Sequence, residues 1–273
     1  VLGDKMKSKH NNIIAKKSLG QHFLNNEIIL SDIANSASIL PDDIVWEIGP
    51  GTGNLTDHIL QKNVKPYCFE VDKDLWHLLK NKYQDNIFLI EKDILKVNWN
   101  EYISEQKIKV VANLPYQITS PFLFKVIDYH EHFELLVLMI QKEVALRIAS
   151  KPNKKDYGVL SLKIQYYFNT EILFDVSPEN FTPPPKVFSS VIRLSPRADK
   201  PVIDNLKLFW RIIETSFLNR RKMLRNNLKA FKYTIDYDQL CKNAPIDFAR
   251  RGETLSESDY ISLYNYLQQF IVC

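Results

Sequence analysis

Glycine is scarce in this sequence. There are 7 glycines among 273 residues, where average usage of about 7% would give on the order of 19. Glycine tolerates backbone conformations and close approaches that other residues do not. Each one is therefore expected where nothing else fits, and Gly49, Gly51 and Gly53 fall within five residues of one another.

Cysteines and long apolar runs are also few. Cys68, Cys241 and Cys273 are far apart in the chain, which excludes a disulfide scaffold and a CxxC metal or redox pair. The longest apolar run, residues 135–140, is too short to span a bilayer, and the N-terminus has no apolar signal-peptide core. We therefore expect a cytoplasmic protein with no metal and no membrane partner.

The net charge of +4 conceals two basic clusters. Residues 1–22 carry five lysines and one aspartate, and residues 207–232 carry eight basic side chains and one glutamate. In the second cluster, apolar residues at helical spacing allow one side to pack while the cations face outward. A solvated helix face is the simpler alternative, but the pattern favours binding to a polyanion. The cations expected to contact phosphates are Arg220, Arg221, Lys222 and Arg225.

Short apolar runs alternate with helical stretches along most of the chain. The runs predict strands at 44–48, 66–71, 86–90, 108–114, 133–140, 171–176 and 187–194. The intervening patterns predict helices at 27–39, 54–62, 72–83, 118–129 and 158–168. This alternation predicts an α/β fold with a doubly wound parallel sheet. Residues 204–269 are helical in pattern, so we predict a boundary between an α/β domain at 23–198 and an all-helical domain at 199–273. Residues 1–22 are predicted to form a basic N-terminal extension.

Gly49, Gly51 and Gly53 lie in EIGPGTGNLT, which begins at the end of the first predicted strand. Such a loop is compatible with a dinucleotide site, with an S-adenosylmethionine site, or with a tight turn that binds no ligand. Its alternating glycines differ from the dinucleotide pattern GxGxxG. Glu70, Asp93 and Asn113 follow the ends of three successive strands and are expected at the same edge of the sheet. Glu70 is placed to accept both ribose hydroxyls and Asp93 to accept the adenine amine, which favours S-adenosylmethionine.

The tetrapeptide Asn113-Leu114-Pro115-Tyr116 suggests the chemistry. An exocyclic adenine amine is a poor nucleophile, and the Asn113 side-chain oxygen with the Leu114 carbonyl could accept its hydrogens. The Tyr116 ring offers a stacking face for a base removed from its helix. Taken alone, the tetrapeptide is also compatible with an ordinary turn that ends a strand.

Together these motifs resemble the small-subunit ribosomal RNA adenine N6-dimethyltransferases, the KsgA family. The matching segments are SLGQHFLNN at 18–26, EIGPGTGNLT at 47–56, NLPYQITSP at 113–121, MIQKEVALRI at 139–148, YGVLSL at 157–162, FTPPPKVFSSVIRL at 181–194 and NRRKMLRNNL at 219–228. The resemblance covers nearly the whole chain. It implies a Rossmann-like class I methyltransferase domain at 23–198, a helical RNA-binding domain at 199–273, and dimethylation of two adjacent adenines in a small-subunit rRNA hairpin. We expect the protein to act as a monomer on the immature small ribosomal subunit.

The resemblance also implies roles for individual residues. S-adenosylmethionine would be held by His22, Leu24, Gly49, Gly51, Gly53, Glu70, Asp93 and Asn113. The target amine would be held by Asn113, the Leu114 carbonyl and Tyr116, with Phe181 as a second stacking face. His22 departs from the family, which usually has asparagine there, although its side chain can still donate a hydrogen bond to the cofactor carboxylate.

Two other functions remain compatible with the sequence. The related enzymes that methylate large-subunit rRNA and confer macrolide resistance share the glycine loop and an Asn-x-Pro-Tyr motif, but FTPPPKV, YGVLSL and the full set of C-terminal helices favour the small-subunit class. A noncatalytic RNA-binding factor on the same fold is the second alternative. The intact Asn113-to-Tyr116 motif argues against this alternative, because a noncatalytic protein would not need it.

Overall fold

The structure is a computed structural model that describes residue 16 and residues 19–272. Most of the predicted basic N-terminal extension, residues 1–15 and 17–18, lies outside the described residues. Within the described part of the chain, no helix is long and apolar enough to cross a membrane. Nor do three or more His, Cys, Asp or Glu side chains come together there in a metal-binding arrangement.

Nine β-strands form within the described residues. In chain order they are β1 (Phe23–Leu24), β2 (Ile44–Ile48), β3 (Tyr67–Glu70), β4 (Phe88–Glu91), β5 (Ile108–Asn113), β6 (Phe133–Gln141), β7 (Phe168–Val176), β8 (Phe181–Thr182) and β9 (Ser189–Pro196). Seven of them form one sheet in the order β4-β3-β2-β5-β6-β9-β7. The two shortest, β1 and β8, pair with each other in a separate antiparallel sheet.

Ten α-helices form within the same residues. They are α1 (Glu27–Ser36), α2 (Asn54–Leu60), α3 (Lys73–Tyr83), α4 (Thr119–Asp128), α5 (Lys142–Ile148), α6 (Val159–Tyr167), α7 (Leu206–Ser216), α8 (Leu224–Asn227), α9 (Tyr237–Asn243) and α10 (Glu257–Leu267). The predicted strands and the predicted helices before residue 170 are confirmed, with ends that agree to within three residues. Helix α5 and the short strands β1 and β8 were not predicted.

The direction of the strands departs from the prediction at one position. Strands β2 to β6 are mutually parallel where they pair, but β9 runs antiparallel to both β6 and β7. The chain passes from β7 to β9 without a crossover helix, and strands joined in that way pair antiparallel. The prediction of a fully parallel sheet is therefore wrong, and the sheet is mixed.

Buried side chains alternate between the two faces of the sheet and form two large cores, with a third, smaller cluster beside α3. Trp46 and Val110 belong to the larger cluster, together with residues of α4, α5 and α6. Val45 and Val111 belong to the second cluster, together with residues of α1 and α2. Successive residues of a strand point to opposite faces, so strands that are apolar throughout fill both cores. The predicted α/β fold with helices on both faces is confirmed.

The C-terminal helices pack against the larger core. Phe209 of α7, Leu240 of α9 and Leu263 of α10 are fully buried in the same cluster as Trp46. The predicted helical character of this part of the chain is confirmed, although α8 is a single turn that continues into a short 3-10 helix at Leu228–Ala230. The division into domains at residue 198 stays a prediction.

Candidate active site

The glycine loop joins β2 to α2. Gly49, Gly51 and Gly53 have φ angles of +65°, +62° and +85°, in the region that favours glycine. A Cβ on Gly51 would lie 3.2 Å from the Phe23 ring, and one on Gly53 would lie 2.3 Å from the Tyr83 hydroxyl. The loop is therefore closely packed at Gly51 and Gly53, whereas at Gly49 the positive φ angle alone disfavours a side chain.

A cavity of about 190 Å³ opens beside this loop, at the carboxyl ends of β2 to β5. Residues 19–22 also line it, although the predicted boundary assigns them to the N-terminal extension. Gly53 and Phe181 do not line the cavity. The predicted site residues that do line it are His22, Leu24, Gly49, Gly51, Glu70, Asp93, Asn113, Leu114 and Tyr116.

Glu70 ends β3 and is buried at the edge of the cavity. Its Oε1 accepts hydrogen bonds from the backbone N–H groups of Val71 and Asp72, both at 2.9 Å. Its Oε2 accepts one from the N–H of Gly51 at 3.2 Å. Burial raises the pKa of Glu70, and the N–H donors partly offset that effect. The carboxyl group is thus fixed against the glycine loop, where it can accept further hydroxyl donors.

Asp93 lies two residues beyond β4, and its Oδ1 accepts a hydrogen bond from the N–H of Leu95 at 3.0 Å. The turn that follows is held by Lys125 of α4. Its ammonium donates to three backbone carbonyls within residues 94–97, at 2.7 to 3.1 Å. Burial lowers the pKa of Lys125. Because α4 begins just after the tetrapeptide, Lys125 ties the Asp93 turn to the segment that carries the predicted amine-binding residues.

Asn113 ends β5, and the tetrapeptide that it begins enters the cavity. The Asn113 Nδ2 donates to the carbonyl of His22 at 3.2 Å, so the side-chain oxygen is the acceptor that remains. The Tyr116 hydroxyl shares a hydrogen bond of 2.7 Å with Ser189 Oγ. Burial raises the pKa of Tyr116. The tyrosine is therefore neutral at physiological pH, and its ring position is fixed by β9.

Phe181, predicted as a stacking face, does not reach the cavity. It is 3% exposed, pairs with Leu24 across the β1–β8 sheet and belongs to a hydrophobic core. The ring that stacks with Tyr116 is that of His22, with centroids 5.7 Å apart and planes inclined by 28°. The His22 Nδ1 lies 2.7 Å from the carbonyl oxygen of Pro183. Phe181 thus has no free face in this structure, and its role stays a prediction.

A polar cluster that the sequence analysis missed holds the N-terminal segment against the cavity. The Lys16 ammonium pairs with Asp72 at 2.6 Å and with Asp74 at 2.7 Å. The Gln21 amide donates to Asp72 at 2.8 Å, and the Asp72 N–H donates in turn to Glu70. Asp72 stands two residues after Glu70 at the start of α3, and that proximity is the signal that could have revealed it.

Glu47 is a second buried carboxyl group at the cavity. It lies in β2, is 1% exposed, and accepts hydrogen bonds from Thr56 Oγ1 at 2.7 Å and from the Cys68 thiol at 3.7 Å. Burial raises the pKa of Glu47 from 4.5 to about 8. The folded protein therefore holds this group in its neutral form at pH 7.

We expect Glu47→Gln to make the protein less sensitive to alkaline pH. A carboxyl group whose pKa is higher in the folded state contributes stability below its unfolded pKa, and that contribution is lost as pH rises through the folded pKa of about 8. Glutamine cannot ionise and keeps an oxygen for Thr56 and Cys68. The free energy of unfolding of wild type should therefore fall by roughly 1 to 3 kcal/mol more than that of the variant between about pH 5 and about pH 9. Urea denaturation at both pH values tests this, and parallel losses in the two proteins would contradict it.

The C-terminal basic cluster is exposed, and its apolar residues are buried as predicted. Leu224, Leu228 and Phe231 belong to the larger core. Arg220 forms an ion pair with Glu253, and Arg225 forms one with Asp238. Arg221 and Lys222 are exposed, and neither has an ion pair with another described residue. Of the four cations expected to contact phosphates, these two are the ones without an ion pair among the described residues.

Comparison with known proteins gives matches over nearly the whole chain. The model of the ribosomal RNA adenine dimethylase family matches residues 12–269. The ribosomal RNA small subunit methyltransferase A of Clostridium acetobutylicum is 44% identical over 250 residues, covering 89% of this chain and 90% of that protein. The protein of the same name from Clostridium perfringens is 42% identical over 261 residues, covering 93% and 91%.

Solved structures also match nearly the whole chain. The crystal structure of a dimethyladenosine transferase from Plasmodium falciparum superposes with a TM-score of 0.78 at 26% identity, covering 91% of this chain and 98% of that one. The 23S rRNA methyltransferase ErmE superposes with a TM-score of 0.69 at 23% identity, covering 90% and 100%. The second likeness is evidence for the fold alone.

Proposed function

The chain belongs to the ribosomal RNA adenine dimethylase family, and we propose that it methylates N6 of two adjacent adenines in a hairpin of small-subunit rRNA. It is an S-adenosylmethionine-dependent enzyme that dimethylates adenine in rRNA. The observation that carries the proposal is the convergence of Glu70, Asp93 and the Asn113–Tyr116 segment on one cavity. The name of the bacterial relatives supports the small subunit as the substrate.

The residues at the cavity fit S-adenosylmethionine. Gly49 and Gly51 leave the loop without side chains at these two positions, and Glu70 and Asp93 supply acceptors at two neighbouring strand ends. Glu70 would accept the ribose hydroxyls and Asp93 the adenine amine. The bound cofactor supplies a methyl group on a positively charged sulfur, which is already activated for transfer. Gly53 would act indirectly, by shaping the loop.

The tetrapeptide would hold the target base. The Asn113 side-chain oxygen and the Leu114 carbonyl would accept hydrogen bonds from the adenine amine and make its nitrogen more nucleophilic. The Tyr116 ring would stack on the base once it leaves its helix. The His22 imidazole lies against that ring, so it would move aside or become part of the base pocket. Orientation and removal of water then contribute most of the rate enhancement.

Labelled S-adenosylmethionine with unmethylated small and large ribosomal subunits, in separate reactions, tests this function. We expect label in the small subunit, mapped to two neighbouring adenines that are each dimethylated. Label confined to the large subunit would instead assign the enzyme to the other rRNA class. Binding of S-adenosylmethionine without label in either subunit would support a noncatalytic factor and overturn the proposal.

We expect Arg221→Gln/Lys222→Gln to weaken binding to the small subunit by roughly tenfold near physiological salt. Each cation that contacts a phosphate releases a counterion, so the double variant should reduce the slope of log affinity against log salt concentration by about 1 to 2. Filter binding across a salt series measures both quantities. Lys80→Gln/Lys107→Gln, which removes two exposed lysines from another part of the chain, is the matched control. An unchanged slope would exclude the pair from the RNA interface.

A further inference from the structure

We propose that Phe188 and Lys142 form a binding site for the RNA nucleotide next to the target adenine, in which the Phe188 ring stacks on its base. The inference rests on the proposed function, because it requires rRNA at this rim of the sheet. It assigns a role to two residues outside the set expected to hold cofactor or target base. The argument depends on where the loop of residues 182–188 lies, on what it exposes, and on how it is fixed.

The loop of residues 182–188 borders the site at both of its ends. At one end, the Pro183 carbonyl lies 2.7 Å from His22 Nδ1. At the other end, Ser189 hydrogen-bonds to the Tyr116 hydroxyl. The rings of His22 and Tyr116 stack on each other. A nucleotide attached to a base held at Tyr116 would therefore meet this loop.

The loop exposes apolar side chains that a folded chain ordinarily buries. Phe188 is 49% exposed and Val187 is 41% exposed. Lys186 is exposed beside them, and the Lys142 ammonium lies 5.8 Å from the centre of the Phe188 ring. An accessible aromatic face with lysines beside it is the combination that binds unpaired nucleotides, since the ring stacks on the base. The Lys142 ammonium is paired with Asp175, so Lys186 is the cation that can attract a phosphate.

The backbone at Phe188 is anchored by its surroundings. The Lys142 N–H donates to the Phe188 carbonyl at 2.9 Å, which joins the start of α5 to the start of β9. The Lys142 ammonium pairs with Asp175 at 2.6 Å, and Asp175 also accepts a hydrogen bond from Ser190. Hydrogen bonds from Lys142 and Ser190 lower the pKa of Asp175, so this carboxylate is ionised at neutral pH. An anchored backbone leaves less conformational freedom to lose when the ring binds a base.

An unpaired nucleotide is the occupant that the site favours. Removal of one base from a stack leaves its neighbour with an uncovered face. The proposed reaction requires such a removal, and Phe188 offers a replacement partner at the same rim. Stacking on an aromatic ring is tolerant of sequence, so either flanking base could use it. Stacking there would hold the strand while the target adenine enters the cavity.

The test compares Phe188→Ala, Phe188→Trp and wild type on a short hairpin RNA that contains the target adenines. We expect Phe188→Ala to raise KM for RNA about tenfold with little change in kcat or in cofactor affinity, and Phe188→Trp to restore the wild-type KM. Phe88→Ala is the matched control, because Phe88 is 42% exposed beneath the Lys65 ammonium on the edge strand β4. Its RNA kinetics should not change.

A second measurement changes the RNA as well as the protein. Replacing a nucleotide next to the target with an abasic one should raise KM for wild type and have no further effect in Phe188→Ala. Additive effects of the abasic site and the substitution, or an unchanged KM in Phe188→Ala, would overturn the inference. Methylation of the hairpin by wild type in the same assay would still support the proposed function, so the two failures are distinguishable.

Discussion

Replacing Asn113 with alanine is expected to lower kcat for adenine methylation by on the order of 100- to 1,000-fold. The Asn113 Nδ2 donates to the His22 carbonyl, which leaves the side-chain oxygen to accept from the target amine. Alanine removes that acceptor at the point where positive charge develops on the nitrogen. Cofactor affinity should fall much less, because Glu70 and Asp93 remain. Single-turnover methylation together with calorimetry of cofactor binding separates the two effects.

The control for this variant is Asn169→Ala, which removes an exposed amide from β7, a strand at the opposite side of the sheet from β4. It should methylate rRNA at the wild-type rate. Near-normal kcat in Asn113→Ala, with unchanged cofactor affinity, would show that the asparagine does not activate the amine. The reaction would then depend on Tyr116 and on backbone carbonyls to orient the base.

The fold was largely predictable because its strands are short, apolar and separated by helical patterns. Periodicity gives the elements, and the carboxyl ends of parallel strands share one edge. The antiparallel β9 was not predictable in the same way. Its residues have the same apolar pattern as a parallel strand, and direction depends on how the chain returns from β7. Helix α5 was missed because it follows β6 directly and spans only seven residues.

The candidate site was predictable where one residue at the end of a strand carries the chemistry. Glu70, Asp93 and Asn113 were expected together, and all three line the cavity. Contacts between distant segments were not predictable from pattern. Lys16 reaches Asp72 across 56 residues, and nothing in the spacing of the two residues indicates that pairing. The burial of Phe181 follows from the pairing of two-residue strands, which are too short to show any alternation.

The glycine loop gives the second large prediction. Gly53→Ala is expected to lower affinity for S-adenosylmethionine by on the order of 100-fold, because it displaces the loop that we propose contacts the cofactor. Gly53 has a φ of +85°, which is unfavourable for alanine, and the new Cβ would lie 2.3 Å from the Tyr83 hydroxyl. That hydroxyl lies 2.7 Å from both the Gly53 carbonyl and Asp57. The tyrosine therefore cannot move without losing these contacts, and the loop must shift instead.

Gly158→Ala is the matched control, because a Cβ at Gly158 has no other atom within 4 Å and its backbone is extended. Calorimetry with S-adenosylmethionine should show wild-type affinity for this variant and a large loss for Gly53→Ala. Circular dichroism would establish that both variants are folded. A folded Gly53→Ala protein with wild-type affinity would mean that the loop can shift without consequence, and that the scarcity of glycine here has no connection with the cofactor. A loss confined to Gly53→Ala would instead show that this glycine is required because Tyr83 packs against it.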